Sequence, residues 1–332
     1  MRPESEPNRK AIERFSAIVP ESVIKLSEES FWVGLRTKSG SVEGKLYLPH
    51  NSNGSILLFE PGFPGDGSTR LDKLWAKDLV ENGHTIFAAR HNGTIINGTY
   101  SDTYLNCPER QEKARTDGQQ ILGEKNNPTI SDWLKEPLIA MEAFASSYQE
   151  VILSGHSFGA LATLSSLIDL FLQDSDAFKR IKRFVSLAGT VGRFKGDNEA
   201  PMKGWSKEID TEVVRRKVMI GNRRRNLLVI KDAYEKIHNS FSQLIFSNSN
   251  IELIFVSPWG EASDSTDELV SPVEALEMVA TLGKGYLILD QTQRGDIPNG
   301  RLAHDMDNLK SNTLVQLLDK DRHPQRQIST LR

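Results

Sequence analysis

The chain predicts an α/β fold, a mostly parallel, doubly wound sheet with helices on both faces, and three observations carry that expectation. Short apolar runs alternate with helical patterns through most of the sequence. The pentapeptide Gly155-His156-Ser157-Phe158-Gly159 stands between one such run and a helical stretch. At 332 residues the chain exceeds an average domain but fits one large core with an insertion.

In chain order, residues Phe31 to Leu48 alternate in polarity and are split by Ser39-Gly40, which predicts an opening β-hairpin; Ser55 to Phe59 is the next strand. A helix is expected from about Thr69 to Glu81, then a strand from His84 to Ala89. The polar stretch from Asn92 to Pro128 is longer than an ordinary connection, and its composition favours a surface loop over an arm across the site. A helix from about Ser131 to Ser147 leads into the strand Val151-Ile152-Leu153, and Ala160 to Leu167 reads as a helix rich in small residues. Strands follow at Phe184 to Gly189, Ile251 to Val256 and Gly285 to Asp290, with a last helix from about Asp305 to Leu318. Between Thr190 and about Asn250 lies an insertion in which Leu227-Leu228-Val229-Ile230, Ala233-Tyr234, Ile237, Phe241 and Leu244-Ile245-Phe246 recur at helical spacing. Such a face covers something, either the site or only an edge of the core. Trp205 and Trp259 are candidates for a pocket wall or for plain core. The runs Arg215-Arg216-Lys217 and Arg223-Arg224-Arg225 read as solvated faces more readily than as a site for an anionic substrate.

A G-x-S-x-G sequence with a strand before it and a helix after it makes Ser157 a candidate nucleophile. In such an elbow the serine occupies a strained turn, and the small Gly155 and Gly159 allow the close approach it requires. A serine hydroxyl is a poor nucleophile at neutral pH, so a base and a group to orient that base must come from elsewhere in the fold. The first turn of the following helix presents backbone N–H groups where negative charge would develop on a substrate oxygen, and Phe158 N–H is the first of them.

With these residues in place the chain resembles the α/β-hydrolase superfamily, in which nucleophile, acid and base follow in that order. The resemblance implies that His304, in Leu302-Ala303-His304-Asp305 after the last strand, is the base. It also implies an acid in the loop after Ile251 to Val256. There Asp267, in Asp267-Glu268-Leu269-Val270-Ser271-Pro272, fits the acid turn better than Asp264, with Glu261 a more distant alternative. Many members read His-Gly-x-Pro after an early strand; the corresponding loop here is Glu60-Pro61-Gly62-Phe63-Pro64, so the second oxyanion donor would be the Phe63 amide. Glu60 stands where a histidine is common, and it either braces the loop or has no consequence. The implied organisation is a hydrolase core over 20–190 and 251–320 with a helical cap over 191–250. The implied reaction is cleavage of a carboxylic ester of a small-molecule acyl substrate through an acyl-enzyme, without a metal or organic cofactor. A peptidase or amidase with the same triad is the nearest rival, and a non-catalytic binding protein on the same fold is the rival of another class.

Composition restricts the classes further. Of the residues 38% are hydrophobic and 26% charged, and no apolar run is long enough for a transmembrane helix. A net charge of −3 argues against general nucleic-acid binding. The polar N-terminus lacks the apolar segment of a secretory signal. Cys107 is the only cysteine, which excludes an intramolecular disulfide and a cysteine metal site and suits a reducing, cytoplasmic setting. It lies in a polar stretch without a strand–turn–helix, so it is a poor candidate nucleophile. The sequons at Asn53, Asn92 and Asn97 read as Asn-Gly turns. His323 falls in a polar tail and is a poor candidate base. Oligomeric state is open.

Overall fold

A computed structural model of the chain describes residues 22–25, 30–63, 71, 74–91, 129–195, 197–216, 222–240, 250–260, 266–295, 302–319 and 328–331. Its strands are β1 (Ser22–Lys25), β2 (Ser30–Thr37), β3 (Gly40–Tyr47), β4 (Ser55–Glu60), β5 (Thr85–Arg90), β6 (Glu150–His156), β7 (Ile181–Leu187), β8 (Glu252–Pro258), β9 (Tyr286–Asp290) and β10 (Ile328–Leu331). They form one sheet in the order β1-β2-β3-β5-β4-β6-β7-β8-β9-β10. The pairs β1–β2, β2–β3 and β3–β5 are antiparallel; every pair from β5–β4 onward is parallel.

The helices are α1 (Ala76–Glu81), α2 (Ile130–Trp133), α3 (Glu136–Phe144), α4 (Phe158–Leu172), α5 (Asp176–Arg180), α6 (Glu199–Arg216), α7 (Arg223–Ser240), α8 (Pro272–Leu282) and α9 (Ser311–Leu318). Strand side chains alternate between faces, so a parallel sheet covered on both sides feeds two cores. Ile56 and Leu58 of β4, Val151 and Leu153 of β6 and Leu253 and Phe255 of β8 enter one core with α3, α4 and α7. Leu57, Phe59, Ile152, Ile254 and Val256 enter the other with α1 and α9. This is the doubly wound arrangement expected from the sequence.

The elements depart from expectation where a local rule interrupts a long apolar pattern. The helix expected over 131–147 is divided into α2, α3 and a 3-10 turn (Ala145–Ser147), with α3 restarting beside Pro137, whose missing N–H suits a first turn and not a helix interior. The helix expected from about Asp305 is a 3-10 turn (Ala303–Asp305) followed by α9, and Met306 between them adopts a left-handed φ of 59°. Helix α1 is shorter than the 69–81 range, part of which lies outside the described residues. Strand β8 runs on through Pro258, beyond Val256. Strands β1 and β10 were not expected; β10, just beyond the stretch 321–326 read as a polar tail, pairs with β9. Asn53 does form the turn expected of it, its Oδ1 accepting from Ser55 N at 2.9 Å and Ser55 Oγ at 2.7 Å. The polar stretch 92–128, with Cys107, Asn92 and Asn97, and His323 lie outside the described residues, as do Phe241 and 244–246.

In the insertion between β7 and β8, α7 sends Ile230, Ala233, Tyr234 and Ile237 into the same core as α4. Its apolar face therefore packs on the body of the fold, next to α4, the helix that Ser157 precedes. Among the described residues no helix is long and apolar enough to cross a membrane. Leu153 lies fully buried in the centre of β6. Leu153→Ala should lower the unfolding free energy by about 2–5 kcal/mol, read from urea denaturation, through lost burial and a residual cavity.

Candidate active site

β6 ends at His156, Ser157 turns the chain, and α4 begins at Phe158. Ser157 has φ 52° and ψ −118°, a conformation that L side chains adopt only when the surroundings impose it. The surroundings do so: Ser157 N donates to Leu187 O at 3.0 Å, and Ser157 O accepts from Ala160 N at 3.1 Å and Thr190 N at 3.3 Å. The flanking glycines are required by contact. A Cβ on Gly155 would lie 2.4 Å from Gly159 C, and one on Gly159 would lie 2.2 Å from Glu60 O. The start of α4 is thereby pressed against the end of β4 and the loop that follows. On that loop, a Cβ on Gly62 would lie 3.0 Å from Ser157 Cβ, so Pro61-Gly62-Phe63 passes directly over the serine.

His304 is buried in the 3-10 turn after β9, and its Nδ1 lies 3.0 Å and 2.9 Å from the two carboxylate oxygens of Asp267. Both side chains are nearly sealed, at 4% and 1% exposure. With Nδ1–H given to Asp267, Nε2 is the nitrogen left to face a nucleophile. Asp267 Oδ1 is held in turn by the N–H groups of Leu269 at 2.9 Å and Val270 at 2.7 Å. The loop bearing Asp267 is anchored to the strand end by Asp267 N donating to Pro258 O at 3.2 Å. His304 is brought to the elbow by its own backbone: its carbonyl accepts from His156 Nε2 at 2.9 Å, and the two rings lie 5.1 Å apart. Because a carbonyl only accepts, His156 carries its proton on Nε2.

Glu268 is a contributor that sequence reasoning missed. Its carboxylate oxygens accept from Ala303 N at 3.1 Å and His304 N at 3.3 Å, clamping the turn that carries His304. Its adjacency to Asp267 was the only available signal. Asp264 and Glu261, the other acids weighed, lie outside the described residues.

The Phe158 ring is fully buried, with the Trp205 ring 5.7 Å away. The Phe63 ring lies 5.8 Å from Trp133 and 5.9 Å from Trp205. Trp205 of α6 therefore bridges the two residues whose amides are the oxyanion candidates. Its indole N–H donates to Tyr234 Oη at 2.7 Å, Tyr234 Oη pairs with Thr190 Oγ1 at 2.5 Å, and Thr190 Oγ1 donates to Glu274 at 2.9 Å. Glu274 also accepts from the amides of Val191 and Gly192. Burial raises the Glu274 carboxyl and pushes the Tyr234 phenol above its ordinary value, so the phenol stays a neutral donor. One network thus ties α6 and α7 to the residue whose amide bonds Ser157. Trp259, by contrast, is 43% exposed. Arg223 pairs with Asp210 at 2.6 Å on the surface, and Arg224 and Arg225 are exposed.

Behind the elbow, Glu60, His91 and Glu136 meet in the interior, their donor atoms all within 4.8 Å of one another, the closest approach to a metal-binding set among the described residues. His91 Nδ1 lies 2.7 Å from Glu136 Oε2 and 3.4 Å from Glu60 Oε1. The His91 ring stacks on Trp133 at 4.7 Å and 8°. Burial pushes the Glu60 carboxyl up to about 8, His91 opposing and Glu136 adding to the rise.

No family model matches the chain and no curated protein does so. Among solved structures, a hydrolase candidate from Agrobacterium vitis S4 is similar over 88% of this chain and 99% of its own, at 16% identity and a TM-score of 0.50. A thermophilic carboxylesterase cloned from a metagenomic library aligns over 96% of this chain and 98% of its own, at 13% identity and a TM-score of 0.49. An esterase from Pyrobaculum calidifontis aligns over 86% and 81%, at 10% identity and a TM-score of 0.48. With the strand order, the parallel sheet and the serine on its strained turn between β6 and α4, the chain has the α/β-hydrolase fold.

Tyr234→Phe leaves the Trp205 indole without its acceptor and removes the phenol from Thr190 Oγ1, which keeps only its bond to Glu274. It should lower stability by about 1–3 kcal/mol in urea unfolding, whereas a change within experimental error would show the network to be dispensable for docking α6.

Proposed function

We propose that the protein is a serine hydrolase that cleaves carboxylic esters through an acyl-enzyme, with Ser157 as nucleophile, His304 as base and Asp267 as the acid that orients it. The observation that carries this reading is the buried His304–Asp267 pair, fastened by His304 O to His156, the neighbour of a serine held at φ 52°.

In the first half-reaction His304 Nε2 takes the proton of Ser157 Oγ as the oxygen attacks the acyl carbonyl, forming the Oγ–C bond and moving the carbonyl electron pair onto oxygen. The amides of Phe63 and Phe158 hold that oxyanion. The pair returns to re-form the carbonyl, the bond to the alcohol oxygen breaks, and His304 gives its proton to the leaving alcohol. Water then repeats the sequence, its proton passing to His304 and returning to Ser157 Oγ as the acid departs. Asp267 holds the Nδ1–H tautomer and stabilises the imidazolium without being protonated. No metal or organic cofactor takes part in these steps. The segment 191–250 acts as a cap whose Trp205 forms one wall of the acyl pocket, since its ring touches both Phe63 and Phe158. The preference for esters over amides rests on the better leaving group and on analogy with the fold.

The test is hydrolysis of short and medium p-nitrophenyl esters, with a fluorophosphonate probe read by mass spectrometry. The wild type should turn over and label at Ser157, and Ser157→Ala should lose both. Asp267→Asn should lower kcat by about 10^4-fold through the wrong histidine tautomer, with its melting temperature tracked alongside. A folded wild type that neither turns over these esters nor labels would sink the reading.

A further inference from the structure

The two ends of Glu60 serve different partners. Its carbonyl lies against Gly159 at the head of α4, and its carboxyl points away into the interior toward His91, from the end of β5, and Glu136, the first residue of α3. Between Glu60 and the Phe63 amide stand only Pro61 and Gly62, and Gly62 rests on Ser157. Whatever fixes the Glu60 carboxyl therefore fixes the loop over the nucleophile. Glu136 is the carboxylate of the pair suited to carry the charge, because it accepts from His91 and sits at a helix N-terminus, where free N–H groups favour an anion. Glu60 Oε1, also buried, has no hydrogen-bond partner among the described residues. Among the described residues, the other side chains about it, from Leu58 and Phe87 to Pro137, Ala140 and Leu153, are apolar, with Thr163 the one hydroxyl, and His91 and Glu136 are the titratable groups that face it.

We propose that Glu60 is a positioning residue for the Phe63 amide, holding loop 61–63 on the elbow as a neutral carboxylic acid that shares its proton with Glu136, and losing that hold when it ionises. A second negative charge there sits among mainly apolar side chains and beside Glu136, and its repulsion from Glu136 is relieved by shifting the residue that carries the loop. The proposal rests on the serine-hydrolase reading for its effect on activity, but not for its effect on stability.

The stability arm follows from proton binding. A carboxyl raised from 4.5 to about 8 on folding keeps its proton in the folded chain after the unfolded chain has lost it. Folding stability therefore falls as pH rises between those values and levels off above the higher one. Glu60→Gln, neutral at every pH, does not share this fall.

The experiment follows the full-length wild type and Glu60→Gln in parallel, by kcat/KM on a p-nitrophenyl ester and by melting temperature, from about pH 5 to about pH 10. Wild-type kcat/KM should decline about tenfold per pH unit above about pH 8, each protein being compared with its own maximum, and Glu60→Gln should lack this limb. The melting temperature of Glu60→Gln relative to wild type should rise steadily from about pH 5 to about pH 8 and then hold constant. A pH-independent melting difference, or the same alkaline limb in both proteins, overturns the proposal. So does a melting temperature lowered by a chelator and restored by a divalent cation, which would put a metal where the proton is assigned. Failure of fluorophosphonate labelling at Ser157 removes the hydrolase reading instead, and the melting series still decides whether Glu60 is held as an acid.

Discussion

Gly159 Cα lies so near the end of β4 that a single added carbon would come within 2.2 Å of Glu60 O, and the candidate site is organised by this approach of a helix start to a strand end. It fixes where the chain can turn after β6 and obliges Ser157 to take a conformation it would not choose alone. It also brings the Pro61-Gly62-Phe63 loop onto the serine from the neighbouring strand, with Glu60 paired beside Gly155 in the β4–β6 ladder. Strain at Ser157 and placement of the loop bearing Phe63 are two results of one contact.

The remaining parts reach the elbow through backbone groups more than through side-chain packing. His304 is located by its carbonyl on His156 and by its amide on Glu268; Asp267 by its amide on Pro258; Ser157 by amides from Ala160 and Thr190. Backbone anchoring leaves the imidazole and carboxylate edges free to meet each other while sealed from solvent, which keeps their mutual orientation independent of surface mobility. The buried network from Glu274 through Thr190 and Tyr234 to Trp205 extends the same logic into the insertion between β7 and β8. Thr190 belongs to both systems, since its amide bonds Ser157 and its hydroxyl holds the insertion.

Most of the sheet was legible because its signals are local. Alternating apolar runs located β2 to β9 within a few residues, and period-two burial sent adjacent side chains into opposite cores. Boundaries failed where a local rule overrode an apolar pattern: Pro137 divided the helix expected over 131–147, and Met306 stopped the one expected from Asp305. Strand β10 escaped notice because a short edge segment next to a polar tail carries too little pattern, and pairing with β9 is what makes it a strand.

The sequence by itself determined the alternation of elements, the glycines flanking Ser157 and a short set of polar residues at strand ends, because these follow from chemistry within a few residues of each other. Tertiary structure decided which of them meet. Asp267 and His304 are far apart in the chain and become partners only when the ends of β8 and β9 lie side by side; Glu268 gains its task only when the His304 turn arrives above it. The Glu60–His91–Glu136 cluster was invisible in the sequence for the same reason, since its acidity is set by burial and by two neighbours brought from other elements, and neither is written in the residues around Glu60.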